Sequence, residues 1–200
     1  MADAIPAPLS IEAFRAWVES RPERERWELI GGVPMMMAPP TRDHQRIASN
    51  LERLLNDALE AHHPEFSAYQ RVGLNLAPIV PDYDPEPDVA VISANERGDV
   101  RYSDRFFLAA EIVSASDRKT VESKREIYKG HPNCRCVLVV EQNRVEVSVA
   151  TRTESGWTDS GWTERRLSDP GEQLVLEAFG LRCTLADIYR GTALQPRGKR

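Results

Sequence analysis

Three residues combine side chains that can do chemistry with placements that call for a reason: Asp88, Glu111 and Lys124. Glu111 interrupts the apolar, strand-like run LAAEIVS. A carboxylate there is costly unless a metal, a cation or a proton compensates it. Asp88 follows Pro87 and opens a second apolar run, VAVI. The turn-forming residues Ser114, Ser116 and Asp117 follow the Glu111 run, and the helix-like segment after them carries Lys124 one to two turns in. Two acids on neighbouring strands with a lysine nearby suit a small hard cation. Two carboxylates, completed by water and a substrate phosphate, are what Mg²⁺ accepts. Such an ion lowers the pKa of a bound water and neutralises charge developing on a phosphodiester. Lys124 would hold the attacking water or a phosphate oxygen.

These residues need a scaffold. Ser10 is placed to cap a helix over IEAFRAWVESR, with Ile11, Phe14 and Val18 at helical spacing, ending by Pro22. RWELI and VPMMMA flank Gly31-Gly32 and read as a β-hairpin, with Pro34 making the second strand an edge or irregular strand. Glu28 sits inside the first strand of this hairpin, and Met35 to Met37 read as apolar filling. A long helix is expected from Thr41 or Asp43 to about Ala61, with Ile47, Leu51, Leu54, Leu55 and Ala58 on one face. His44 lies in its first turn as a surface or capping residue, close enough to the hairpin end to keep a site role open.

Phe66 to Ala77 reads as a strand, and the proline- and acid-rich loop after it makes Asp82, Asp84 and Glu86 solvated loop acids. Strands follow at Val89 to Ile92 and FFLAAEIVS, then a helix from Lys119 to Lys129 and the run CRCVLVVE. Further strands are expected at Arg144 to Ala150 and Thr163 to Leu167, then a final strand in QLVLEAFG and a short helix in TLADIYRG. This order predicts an α/β fold, a mixed central sheet flanked by helices, with Asp88 and Glu111 on adjacent central strands. Because side chains alternate along each strand, both acids can face one side at one height.

Two hundred residues fit one domain with a real core, expected over 10–194, with a loose tail over 1–9 and a basic tail over 195–200. Hydrophobic content of 41% and charged content of 28% are those of an ordinary globular chain. The net charge of -5 argues against a dedicated nucleic-acid binder but leaves room for a local basic patch. Three cysteines without a CxxC pattern read as reduced thiols, with Cys134 and Cys136 as core residues on one face of a strand. No run approaches the ~18 apolar residues of a membrane helix, and the N-terminus lacks a signal-peptide pattern, so a cytoplasmic location is expected.

WELIGG, His44 with its helix, PDVAVI, AEIVS and the K-x-x-x-Y spacing of Lys124 and Tyr128 occur in that order. Together, over roughly Trp27 to Leu194, they resemble the Uma2 family ("putative restriction endonuclease", formerly a domain of unknown function) within the PD-(D/E)XK nuclease superfamily. The resemblance implies a restriction-endonuclease-like fold and Mg²⁺-dependent cleavage of DNA, with Mn²⁺ as a substitute ion. It makes Asp88 the acid of the PD pair, Glu111 the second acid, the Ile112 backbone carbonyl a further metal ligand, Glu28 the hairpin acid and Lys124 the helix lysine. Two departures stand out. The superfamily lysine falls two residues after the second acid, where this chain has Val113, and Asp117 occupies the family's threonine position with Thr120 four before Lys124. Enzymes of this superfamily that cut both strands often act as homodimers, and nothing in the sequence identifies an interface.

Plainer readings stand beside these. Glu111 could pair with Arg118 or Lys124 for structure alone, Asp88 could cap a turn, and Glu28 could be an ordinary strand acid. Arg118, Lys119, Lys124, Arg125 and Lys129 form either a solvated helix face or a phosphate-facing one, and Trp157 and Trp162 read as packing residues. The alternative function is an inactive nuclease-fold module that binds a protein or nucleic-acid partner. A weaker third reading is a phosphodiesterase acting on RNA or a small nucleotide.

Overall fold

The computed structural model describes residues 8–77, 79–95, 101–114, 118–153 and 161–195. The sequence readings at Ser116, Asp117 and Trp157, and most of both expected tails, lie outside them. Helix α1 spans Ile11–Glu19, and its Ser10 cap accepts a hydrogen bond from the Ala13 amide. Strands β1 (Trp27–Ile30) and β2 (Val33–Met36) form the hairpin. Gly31 and Gly32 turn it with φ of +59° and +76°, the doubly left-handed geometry that primed turns require and glycine supplies without strain. Helix α2 (Arg42–His62) is capped by Thr41.

The chain continues through β3 (Phe66–Gln70), β4 (Gly73–Leu74), β5 (Val89–Ser93), β6 (Tyr102–Ser103) and β7 (Phe106–Val113). Helix α3 (Arg118–Gly130) then leads to β8 (Cys136–Glu141), β9 (Val147–Arg152) and β10 (Trp162–Leu167). A second hairpin, β11 (Gln173–Leu176) with β12 (Leu181–Thr184), and a short helix α4 (Leu185–Ile188) follow. The expected single strand over Phe66 to Ala77 is broken at Arg71, whose φ is +58°, and β4 leaves the main sheet to pair with β6.

The main sheet has six strands in the order β10-β9-β8-β7-β5-β3, with β7 and β8 parallel and every other pair antiparallel. A parallel pair needs a crossover, and α3 supplies it. β7 and β8 are buried along their whole lengths, which is why both read as unbroken apolar runs. One face carries the larger core, where Ile47, Leu51 and Leu55 of α2 meet Val89, Ala110, Ile112 and Leu138, together with the β11–β12 hairpin and α4. The other face carries Ala90, Phe106, Ala109, Val137, Tyr128 and Trp162. This alternation decides the site: in β7, Ala110 and Ile112 face α2, so Glu111 between them faces α3.

Several local readings are corrected. Cys134 lies before β8 and packs on the α3 side, while Cys136 joins the α2 side. Burial pushes the Cys134 thiol up to about 12 and the Cys136 thiol well above its usual range, so both are inert core groups. Asp84 is not a solvated loop acid. It is buried, its backbone bridges Leu29 of β1, and Arg15 of α1 grips its carboxylate at 2.7 and 3.0 Å. Glu86 is half-buried and paired with Arg26. Met35 to Met37 do not fill the core: Met36 is 63% exposed, and the three side chains form one wall of an open cleft. The basic face of α3 is committed to carboxylates, Arg125 and Lys129 to Glu164 and Arg118 to Glu141. These three side chains are thus paired within the chain, while Lys119 is exposed without an ion pair among the described residues.

Candidate active site

The β1–β2 hairpin, α2, the start of β5, β7 and α3 meet at a cleft of about 390 Å³ lined by Glu28, His44, Asp88, Glu111, Lys124 and the methionine wall. β5 and β7 pair with Val89 opposite Ala110, so one step further the ladder sets Asp88 opposite Glu111. All four expected side chains, and Ile112 whose carbonyl was expected to join them, line this cleft.

The inner part is dry. Glu28, Lys124 and Glu111 are 1%, 3% and 5% exposed. The Lys124 ammonium lies 2.8 Å from Glu28 Oε1 and 3.3 Å from Glu111 Oε1. Glu28 Oε1 also accepts from the Glu86 amide at 2.8 Å, which fixes the hairpin acid to the loop before β5. Tyr128, one turn after Lys124 on α3, donates its hydroxyl to Glu111 Oε1 at 2.7 Å. The outer part is half-buried. His44 Nε2 lies 2.8 Å from Asp88 Oδ1, and the Ile112 amide donates to Asp88 Oδ2 at 2.8 Å.

Sequence reasoning left the partnership of His44 open and gave Tyr128 no role at the site. The i,i+4 spacing of Lys124 and Tyr128 was the available signal, since it puts both on one helix face. Finding what that face meets required the sheet register.

Burial pushes the Glu111 carboxyl up to about 8; Lys124 pulls it down, while Asp88 and Glu28 add repulsion. Burial alone would lower Lys124, but Glu111 and Glu28 beside it carry it above its ordinary value, so the ammonium stays charged. Burial raises the Tyr128 hydroxyl well above its usual range, making it a permanent donor. Three carboxylates thus face one fixed ammonium, and burial favours the protonated form of Glu111 unless another cation takes its place.

The donor set fits a divalent ion of the hard, hydrated kind. Among the described residues no group of three or more His, Cys, Asp or Glu side chains could hold a metal unaided. Mg²⁺ is usually held by one or two carboxylates with waters, and Asp88 and Glu111 offer two on adjoining strands. Both close contacts of Glu111 fall on Oε1, and among the described residues no hydrogen bond is donated to Oε2.

A stability prediction follows with a definite sign. Burial pushes the Glu111 carboxyl up to about 8 in the folded chain against 4.5 for an ordinary glutamate, so folding takes up a proton between those values. Its contribution is full below about 4.5 and is lost as pH rises towards about 8. In EDTA, the unfolding free energy of the wild type should fall relative to that of Glu111→Gln across this window, by an amount on the order of a few kcal/mol, as read from urea unfolding. Parallel pH profiles of the two proteins would contradict the assignment.

The mixed sheet with its α3 crossover and hairpin-covered acidic cleft is a nuclease-like α/β architecture. A crystal structure described as a "putative nuclease belonging to DUF820 from Anabaena variabilis" shares this fold, with a TM-score of 0.70 at 15% identity, covering 91% of this chain and 98% of that one. No curated protein matches the chain. The chain belongs to the Uma2 family, described as "Putative restriction endonuclease", which it matches over residues 11–186. Among the described residues no helix is long and apolar enough to cross a membrane.

Proposed function

We propose that the chain is a Mg²⁺-dependent endonuclease that hydrolyses phosphodiester bonds of DNA, with Mn²⁺ able to replace Mg²⁺. The observation that carries this reading is the convergence of Asp88 and Glu111, with Glu28 and Lys124 beside them, on one cleft. Asp88, Glu111 and the Ile112 carbonyl would hold the ion. When bound, the metal supplies a Lewis acid for a phosphate oxygen and a lowered pKa for water.

The chain's own residues have separable tasks. His44 and the Ile112 amide hold Asp88 in orientation through its two oxygens, a positioning role. Tyr128 does the same for Glu111. Lys124 offers a fixed positive charge beside the acids, where developing phosphate charge would be stabilised in a site of low dielectric. Glu28 sets the position of that ammonium.

Calorimetric titration with Mn²⁺ in the absence of nucleic acid should give saturable binding that Asp88→Asn removes. Supercoiled plasmid should be nicked with Mg²⁺ and not with EDTA. A wild type that binds no Mn²⁺ would defeat the reading. One observation favours the second reading, a partner-binding module without hydrolysis: Lys124 is already engaged by two carboxylates in the buried part of the cleft. That reading expects no Mn²⁺ isotherm and no nicking.

A further inference from the structure

Arg71 stands at the break between β3 and β4 in a left-handed conformation, φ +58°, which is uncommon for a side chain of its size. It lines the acidic cleft and also a second, larger groove of about 780 Å³, so the two spaces adjoin at this residue. Arg26 and Glu86 are shared in the same way, but they are paired with each other. Arg71 forms no ion pair among the described residues, and neither does Arg101, which also lines the second groove. The Arg101 carbonyl accepts from the Gly73 amide at 3.1 Å, which fastens the start of β6 two residues beyond Arg71.

The same groove offers an aromatic surface. Tyr69 lies on the edge strand β3, opposite Ala90, facing away from α2, and is 46% exposed. Tyr102 is less available, because Arg15 covers one face of its ring at 3.8 Å. The remaining charges of the groove include Arg21, paired with Glu25, and the acids Glu19 and Glu23 near the end of α1. Of the two uncommitted guanidinium groups, Arg71 stands where the groove adjoins the acidic cleft, and Arg101 lines the groove only.

Guanidinium groups beside an open phenol ring are the components of a nucleic-acid strand track, one for phosphates and the other for bases. The chain carries a net charge of -5, and the basic face of α3 is spent on carboxylates. Duplex binding draws on clustered cations, and among the described residues those on α3 are largely paired, whereas base stacking supplies affinity without them. We propose that the Arg71–Tyr69–Arg101 groove binds single-stranded nucleic acid flanking the scissile bond. In this arrangement Arg71 holds the phosphate nearest the cleft, Tyr69 stacks an unpaired base and Arg101 takes a second phosphate. The proposal rests on the reading of the adjoining cleft as a phosphodiester-cleaving site.

The test is fluorescence anisotropy of a fluorescein-labelled single strand of about 12 nucleotides. It is run with the full chain in EDTA, so that binding is read without cleavage. Arg71→Gly removes the side chain while accepting the left-handed backbone. It should weaken binding about tenfold and reduce the salt dependence by about one phosphate contact. Tyr69→Ala should weaken binding about tenfold with the salt dependence unchanged, and Tyr69→Phe should bind as the wild type. Unaltered melting temperatures exclude a folding effect. A wild type that binds no single strand, tighter binding of the matching duplex, or variants that bind as the wild type would each overturn the proposal. Failure of the cleavage reading looks different: the single strand binds with this pattern, but plasmid is not nicked in Mg²⁺. A chain that nicks plasmid while Arg71→Gly and Tyr69→Ala bind and cut unchanged keeps its catalytic cleft and loses the groove.

Discussion

Glu111→Gln is expected to abolish divalent-ion-dependent cleavage, a loss of at least about 10³-fold, in a protein that remains folded. The size follows from the several kcal/mol of charge stabilisation that a catalytic metal supplies and the tenfold in rate that each ~1.4 kcal/mol represents. The substitution is nearly isosteric. Its carbonyl oxygen can still accept the Tyr128 hydroxyl that Glu111 Oε1 accepts at 2.7 Å. Removing the charge also removes the burial penalty that holds this carboxyl up to about 8, so the variant should be at least as stable as the wild type at alkaline pH in EDTA. Lost activity with retained stability separates a chemical role from a structural one. Asp88→Asn offers an independent check, because the amide can still meet both His44 Nε2 and the Ile112 N–H while losing its charge. Plasmid nicking in Mg²⁺ alongside thermal melting decides the matter. A nicking rate within a factor of about two of the wild type for Glu111→Gln would end the catalytic assignment, because the proposed ion would there have lost one of the two carboxylates that would hold it.

Much of this arrangement was readable before any coordinates because it depends on local patterns. The apolar runs of β5, β7 and β8 are buried on both faces, so they announce themselves without periodicity analysis, and a single acid within one of them stands out. The hairpin follows from two adjacent glycines, both of which adopt positive φ. What stayed hidden was non-local pairing. Asp84 looked solvated because its loop is polar, yet Arg15 reaches it from a helix 69 residues earlier. The basic residues of α3 left a solvated face and a phosphate-facing one equally open because Glu164, on β10, is distant in sequence. QLVLEAFG reads as one strand, yet β11 ends at Leu176, a short helical turn ended by Gly180 at φ +63° follows, and β12 lies beyond it with no local signal of its own. His44 needed the end of α2 to be set against the start of β5, which no window of sequence contains.

The second large effect concerns the lysine that ties these parts together. Lys124→Ala should destabilise the fold by about 3–5 kcal/mol, the usual cost of leaving a buried charge without its partner. Glu28 and Glu111 are both almost wholly inaccessible, and Lys124 is the cation in contact with each. The loss should be felt mainly at the β1–β2 hairpin, because the Lys124–Glu28 contact spans from that hairpin to α3. Neutralising both partners tests the mechanism. Glu28→Gln with Lys124→Met removes the orphaned charge, fills the volume with an apolar chain and keeps an oxygen to accept the Glu86 amide. The double variant should recover most of the lost stability, since buried ion pairs are often replaceable by neutral groups at little net cost. Its cleavage activity should stay lost, because the positive charge beside Asp88 and Glu111 is gone. Urea unfolding midpoints of the wild type, single and double variants measure the first part, and nicking assays measure the second. A Lys124→Ala protein as stable as the wild type would mean that water or a proton already compensates these acids. A double variant that regained cleavage along with stability would reduce Lys124 to a staple for the hairpin and leave the chemistry to the two strand acids alone.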